Sequence, residues 1–468
     1  MARLLAQVQL PSPSPALTEL MARALATNAG SDGVDIRVKV AALGRAGRVD
    51  ELIEVLRDSG QSSAPGAAAR YALALIAAGR DDEACAIVLG TGPAEIQGDR
   101  LSKRAIFLTR AYCAARSGDK NGARLALNLA RDSRADIGIA IAALEGGSRL
   151  NLPKSVDVLD YVFLRLGHPG GSAEIAAKAT PELLFLLARD EQAAPELRVA
   201  AAERAAALNI ADGTVLATAY RDAAPKLAKS AQSAPALRAR LFATLEGQSS
   251  GKTRAESIDA LLASGKDAKI EVPLAQALAE ISEDLAREAE GASFAETGLR
   301  VAALAGDDQA AWRLTESGGD QARSWQLLLA TTDPYGERAW PALVSGVDIA
   351  LKSGLPGALL QRLVTVLDAL GDVPIPLWEL AAKTPQPSDG YLPATGVLTS
   401  LKEAADRGEL GRTLLLAAAV LGPDGPPGAH LIGLGDALRA LKRVGLEAEA
   451  RRLGFEALYA HWPQRGKV

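Results

Sequence analysis

Histidine, cysteine and aromatic residues are scarce in this chain. Its 468 residues include 3 His, 2 Cys, 5 Trp, 7 Tyr and 6 Phe. So few imidazoles and thiols leave little material for a metal centre or a nucleophilic dyad. His168, His430 and His461 lie far apart, and none falls in an H-x-x-x-H or H-E-x-x-H spacing. No catalytic residue, metal ligand or cofactor-binding residue is therefore assigned, and no cofactor is expected. Cys85 and Cys113 show no C-x-x-C spacing and have no neighbouring histidine. They are expected to be two small core residues, with a disulfide or a reactive thiol as the alternative.

An excess of charge of either sign is also missing. The 52 Lys and Arg stand against 56 Asp and Glu, a net charge of −4, with basic residues spread singly. Nucleic-acid binders need clustered Lys and Arg to neutralise phosphates, so that class is set aside. No stretch approaches the roughly 18 uninterrupted apolar residues of a membrane-spanning helix. The first ten residues are too short and too polar for a secretory segment, and Pro11-Ser12-Pro13-Ser14-Pro15 breaks them off. As written, the chain is expected to be cytoplasmic, or periplasmic or otherwise extracytoplasmic if a signal or anchor preceding Met1 has been removed.

What the chain does have is aliphatic residues. The apolar set makes up 48% against only 4% aromatics, so Ala and Leu carry the hydrophobicity. These are strong helix formers, whereas the residues that suit a pleated sheet are thin. The periodicity agrees. Over 273–290, Leu274, Leu278, Ile281 and Leu285 share one face while Glu280, Glu283, Asp284, Arg287 and Glu288 take the others. Over 356–371, Leu359, Leu360, Leu363, Leu367 and Leu370 repeat the pattern. An all-α fold follows, with roughly twenty helices joined by short connections.

One turn recurs. A helix ends at Gly, and five residues later a small or apolar residue opens the next helix. It occurs at Gly47/Leu52, Gly79/Ala84, Gly118/Ala123, Gly306/Ala311 and Gly445/Ala450. Glycine takes the left-handed conformation that stops the first helix, acids favour the positive start of the second, and the small residue allows close approach. These residues resemble the tetratricopeptide repeat. Ala72, Gly79 and Ala84 match its pattern in one unit, Ala111, Gly118, Ala123 and Ala130 in another, and Gly445, Ala450 and Ala457 in the last. The spacing is irregular, 32 residues from Gly47 to Gly79 but 39 from Gly79 to Gly118, and Arg110 stands where a large apolar residue is usual. The resemblance implies a right-handed superhelical solenoid of antiparallel helix pairs, irregular in the middle, that binds a protein or peptide, usually on its concave surface. It transfers no catalytic residue.

The expected organisation is an N-terminal segment (1–16), repeat-like helices (17–150), degenerate repeats (151–300), Trp-rich repeats (301–383), an irregular loop (384–396) and C-terminal repeats (397–468). Two glycine-rich stretches suggest nucleotide sites and fail on detail. Gly247-Gln248-Ser249-Ser250-Gly251-Lys252-Thr253 has three residues between its glycines where a phosphate loop needs four, and it follows helix-like sequence. Gly433-Leu434-Gly435 lacks a third glycine and reads as a flexible lead-in to a helix starting near Asp436. The carboxylates of 280–290 spread over a wet helix face rather than forming an acid/base pair.

The aromatic distribution points elsewhere. Four of the five Trp, namely Trp312, Trp325, Trp340 and Trp378, fall between 312 and 378. Trp anchors interfaces because it buries a large area and keeps one donor. Trp340 and Trp378, in Pro-flanked settings, and Tyr391, in the irregular loop, are the candidate partner-binding residues. The expected function is a non-enzymatic scaffold, a structural component of a larger assembly. The alternatives are an apolar-ligand or lipid carrier, and a regulatory α-solenoid or toroid of an enzyme system.

Overall fold

The computed structural model is all-helical. It describes residues 4, 5, 8–27, 35–60, 67–92, 100–132, 137–145, 152–167, 171–248, 251–279, 281, 284, 287, 294–317, 319–333 and 336–463. Among these residues there are 28 α-helices and no strand, only the isolated bridges Val156–Ala179 and Tyr391–Ala429. The helices outnumber the sequence-based expectation because pieces such as Glu174–Lys178 and Gly346–Lys352 are shorter than a periodicity window.

The recurring turn is present at every site where the sequence places it. Gly47, Gly79, Gly118, Gly306 and Gly445 have φ between 69° and 86°. In each, the N–H of the next residue donates to a carbonyl five positions back, as in Arg80 to Leu75 at 2.7 Å and Leu446 to Leu441 at 3.0 Å. That bond satisfies a carbonyl the ending helix leaves orphaned. The small residues that follow are buried, with Ala84, Ala311 and Ala450 fully enclosed. The same turn also occurs at Gly354, Gly371 and Gly408, and at Asn209 and Lys269, two non-glycine residues with φ of 56° and 58°. Asn209 suits this conformation by residue type, whereas Lys269 carries no turn signature.

The segment 356–371 forms the Gly357–Leu370 helix, with all five of its leucines buried. Where a helix is expected over 273–290, one helix spans Glu271–Ala277, and the described residues 279, 281, 284 and 287 beyond it are helical as well. Glu280, Glu283, Leu285, Glu288 and Glu290 lie outside the described residues. The expectation for Gly433-Leu434-Gly435 is corrected, since both glycines sit inside the Leu431–Arg443 helix. His430 caps that helix by accepting the Ile432 N–H at 3.2 Å. Gly433 has room for no larger residue without crowding Val420, whose Cγ1 would lie 3.3 Å from an added Cβ. The glycines serve close helix packing, not flexibility.

The chain divides into two compact units, residues 22–243 and residues 1–21 with 244–468. In the first, the pairs Ile36–Arg45/Val49–Asp58, Ala67–Ala77/Asp81–Gly90 and Arg100–Arg116/Lys120–Asp132 follow one another. The first helix of each pair packs on its own partner and on the first helix of the next pair. The Pro181–Arg189 helix then returns to pack on Ile36–Arg45, Ala67–Ala77 and Val158–Gly167, as well as on the two helices that follow it. Its sequence explains the position. Leu183, Leu184, Phe185, Leu186, Leu187 and Ala188 are all buried, so the helix is apolar around its whole circumference. Each fully buried Leu contributes roughly 2 kcal/mol of transfer free energy.

Cys85 and Cys113 correct the expectation of two separate core residues. They form a disulfide, with Cα atoms 5.7 Å apart, between the Asp81–Gly90 and Arg100–Arg116 helices. Arg110, the departure from the repeat pattern, acts on the same pair of helices. Its guanidinium donates to the carbonyls of Val88 (2.9 Å) and Thr91 (2.8 Å). It closes the C-terminal end of the Asp81–Gly90 helix, where a cation is favoured.

In the second unit the Glu447–Tyr459 helix is the hub. It packs on Asp320–Leu329, Gly357–Leu370, Gly425–Gly428 and Leu431–Arg443. The pairs Thr395–Asp406/Leu410–Leu421 and Leu431–Arg443/Glu447–Tyr459 repeat the arrangement of the first unit. Leu431–Arg443 touches both helices of the preceding pair.

Candidate functional site

The five tryptophans separate cleanly by environment. Trp325 (1% exposed) and Trp462 (3%) are core residues. Trp325 lies 6.0 Å from the Tyr459 ring, and Trp462 Nε1 donates to Ser324 Oγ at 3.3 Å. Trp312 is half-buried. Trp340 and Trp378 are 53% and 50% exposed, and both lie on short helices whose opposite faces are buried.

Helix geometry extends each of them into a stripe. In Ala339–Val344, Ala339, Ala342 and Leu343 face inward, while Trp340 and Val344 (57% exposed), one turn apart, face outward. In Ile375–Ala382, Leu377 and Ala381 face inward, while Ile375 (74%) and Trp378 face outward. Between them, the Gly346–Lys352 helix packs on both and exposes Leu351. Gly346 permits this packing, since an added Cβ would come within 3.3–3.4 Å of Leu327 and Leu377. The exposed charges of that middle helix, Asp348 and Lys352, pair with each other at 2.9 Å. The exposed charges on and beside these three helices, Glu337, Arg338, Asp348, Lys352, Glu379 and Lys383, balance in sign.

Tyr391 sits on the 384–396 loop, which is ordered by specific contacts. Its N–H donates to Gly428 at 2.8 Å and its carbonyl accepts from His430 at 3.0 Å. Gln361 Nε2 holds the start of the loop by donating to the carbonyls of Ala381 (2.6 Å) and Thr384 (3.1 Å). The ring of Tyr391 covers Gly422, where an added Cβ would lie 2.4 Å from it. The outer side of Tyr391 stays exposed, as do Leu392 and Ile432.

Sequence reasoning does not foresee the buried polar triads. Glu203 accepts from Tyr220 (2.6 Å) and from Arg238 Nε (2.8 Å). Glu271 accepts from Tyr459 (2.8 Å) and from Arg300 Nε (2.9 Å). Asp190 accepts from Tyr161 (2.8 Å), with Arg165 at 3.4 Å. Burial first, and the adjoining carboxylate second, push all three phenols far above their ordinary range. These tyrosines stay protonated as permanent donors, so the triads tie helices together. Their members are too far apart in sequence for spacing to reveal them.

The remaining sequence candidates stand apart. His430 is a helix cap, His461 contacts the Pro427 carbonyl at 3.0 Å, and His168 lies outside the described residues. Lys252 and Thr253 belong to the first turn of the Gly251–Asp267 helix, preceded by the Ala234–Gly247 helix, while residues 249 and 250 lie outside the described set. Among the described residues, no three His, Cys, Asp or Glu side chains converge as a metal site, and no helix is long and apolar enough to cross a membrane. Compared with protein-family models, curated proteins and solved structures, the chain matches none of them.

Proposed function

We propose that this chain is a non-enzymatic scaffold, a tetratricopeptide-like solenoid of antiparallel helix pairs that docks a protein or peptide partner. The pairwise turns and the contacts between successive pairs over 36–132 and 395–459 support the solenoid reading. The edge carrying Trp340 and Trp378 is the observation that carries the binding reading. Two half-exposed tryptophans on short helices that both pack on Gly346–Lys352, with Val344, Leu351 and Ile375 also exposed, supply the kind of anchors that partners bury. An edge without net charge suits an apolar partner surface and a stable assembly rather than electrostatic capture.

The docking surface we propose is the one carrying Trp340 and Trp378 rather than a concave face. In the first run of pairs, Pro181–Arg189 already covers Ile36–Arg45 and Ala67–Ala77, two of the three helices that pack on one another along the run. The Cys85–Cys113 disulfide supports work in an oxidising, extracytoplasmic compartment, where such bonds persist. The test is co-purification from the source cells. A stoichiometric partner retained by the wild type and lost by a folded Trp340→Ala/Trp378→Ala variant supports the reading, and equal retention by both refutes it.

A further inference from the structure

The N-terminal segment is fastened to the last helix through one carboxyl group. Glu456, on Glu447–Tyr459, accepts the Ala16 N–H through Oε1 at 2.8 Å, a contact spanning 440 residues of sequence. Its Oε2 is hydrogen-bonded to the Ser14 hydroxyl. Ser14 Oγ in turn accepts the Leu17 N–H at 3.0 Å, so Ser14 and Glu456 together cap the start of the Pro15–Ala26 helix. Behind the cap, Ser12, Ser14, Leu17, Thr18, Leu20 and Met21 are buried, and Pro13 and Ser14 lie against Gly425. We propose that Glu456 is a proton-operated clasp, which holds the 12–21 segment tightly when neutral and loosens it when ionised.

The surroundings of the carboxyl decide the sign. Glu456 is partly buried, and the two groups bonded to its carboxyl, the Ser14 hydroxyl and the Ala16 N–H, are both neutral. The nearby basic groups on the packed elements are bonded elsewhere. Arg362 donates to the Pro426 and Ala429 carbonyls, and Arg451 to Asp372 and Glu447. Arg439, Lys442 and Arg443 bond Asp368, the Leu370 carbonyl and Asp406, and His461 contacts the Pro427 carbonyl. Glu19 and Arg23 on the segment, Asp424 at the Gly425 turn, Arg452 on the same helix, and Asp320 and Arg323 on the packed Asp320–Leu329 helix are other charged side chains of these elements.

Burial therefore dominates and pushes the group up to about 7, while the Ser14 and Ala16 donors pull it partway down. Released into water, the group returns to an ordinary value near 4.5. Below pH 4.5 the carboxyl is neutral in both states and fastening is strongest. From there to about 7, docking takes up a proton and weakens as pH rises; above 7 it is weak and constant. The full difference corresponds to a loosening on the order of a hundredfold. A neutral carboxyl keeps both contacts, with its carbonyl oxygen accepting from Ala16 and its O–H meeting the Ser14 hydroxyl.

Hydrogen exchange read by mass spectrometry on the full chain tests this directly. Protection of the 16–21 amides, corrected for the intrinsic pH dependence of exchange, is measured across pH 5 to 8. The wild type is expected to lose protection by up to about tenfold per pH unit toward pH 7 and then level off. Glu456→Gln, permanently neutral, is expected to stay protected and flat. Ser14→Ala, which leaves the carboxyl in place, is expected to lower protection throughout while keeping the slope. Flat wild-type protection, or a slope that survives in Glu456→Gln, overturns the proposal.

Discussion

Tyr459 donates its phenol to Glu271 at 2.8 Å, joining the last helix to one that lies 188 residues earlier. Arg300 bonds the same carboxylate, and the Trp325 ring lies tilted against Tyr459. Removing one member of such a buried set leaves a charge without its partner. Glu271→Ala is expected to cost about 3–5 kcal/mol, and Tyr459→Phe about 1 kcal/mol. Urea unfolding followed by tryptophan fluorescence measures both, since Trp325 and Trp462 lie in this core. Equal, small effects from the two variants would contradict the triad's role.

The disulfide makes a separate prediction. Closing a loop of 28 residues' separation restricts the unfolded chain. Replacing Cys85 and Cys113 by Ala is expected to lower the stability of the 22–243 unit by about 3–4 kcal/mol. Thiol titration of the unreduced, denatured protein is expected to find no free thiol. Two reactive thiols in protein taken from its native compartment would remove the disulfide and the compartment argument together.

Glycine substitutions separate conformation from space. An added Cβ at Gly306 meets nothing within 4 Å, yet φ is 82°. Gly306→Ala is therefore expected to cost about 1–2 kcal/mol from the left-handed backbone alone. Gly454→Ala has ordinary backbone but meets Val366 at 2.7 Å, and overpacking there is expected to cost about 1–3 kcal/mol. Gly422→Ala suffers both penalties and is expected to be the worst of the three. Thermal unfolding of the three variants gives the order.

The helices and five of their turns were legible because Gly, Ala and Leu periodicity is a local signal. Ala72, Ala111, Ala130 and Ala457, read from the repeat pattern, are fully enclosed. The turn at Lys269 was not legible, because Lys carries no left-handed preference, and Asn209 was passed over although Asn does. Gly433 was misread because a glycine that permits close packing looks, in sequence, like one that permits bending. The Cys85–Cys113 bond and the three triads depend on which helices meet. The exposure of Trp340 and Trp378 was suggested by their proline neighbours, whereas burial of Trp325 was not distinguishable from it.

Trp340 and Trp378 are half-exposed, so replacing both with Ala is expected to cost about 1–3 kcal/mol of stability, less than the loss of one fully buried Trp. If they anchor a partner, the same change is expected to weaken binding by at least about 2 kcal/mol. Denaturation and affinity measurements on one protein preparation separate the two effects. A large stability loss without a binding change would assign these residues to the core instead.

Cross-linking mass spectrometry on the complex purified from source cells tests the scaffold reading most directly. The account predicts a stoichiometric partner whose cross-links cluster within 339–392 and disappear in the Trp340→Ala/Trp378→Ala variant. A monomer without partners, or cross-links that avoid this edge and persist in the variant, would contradict it.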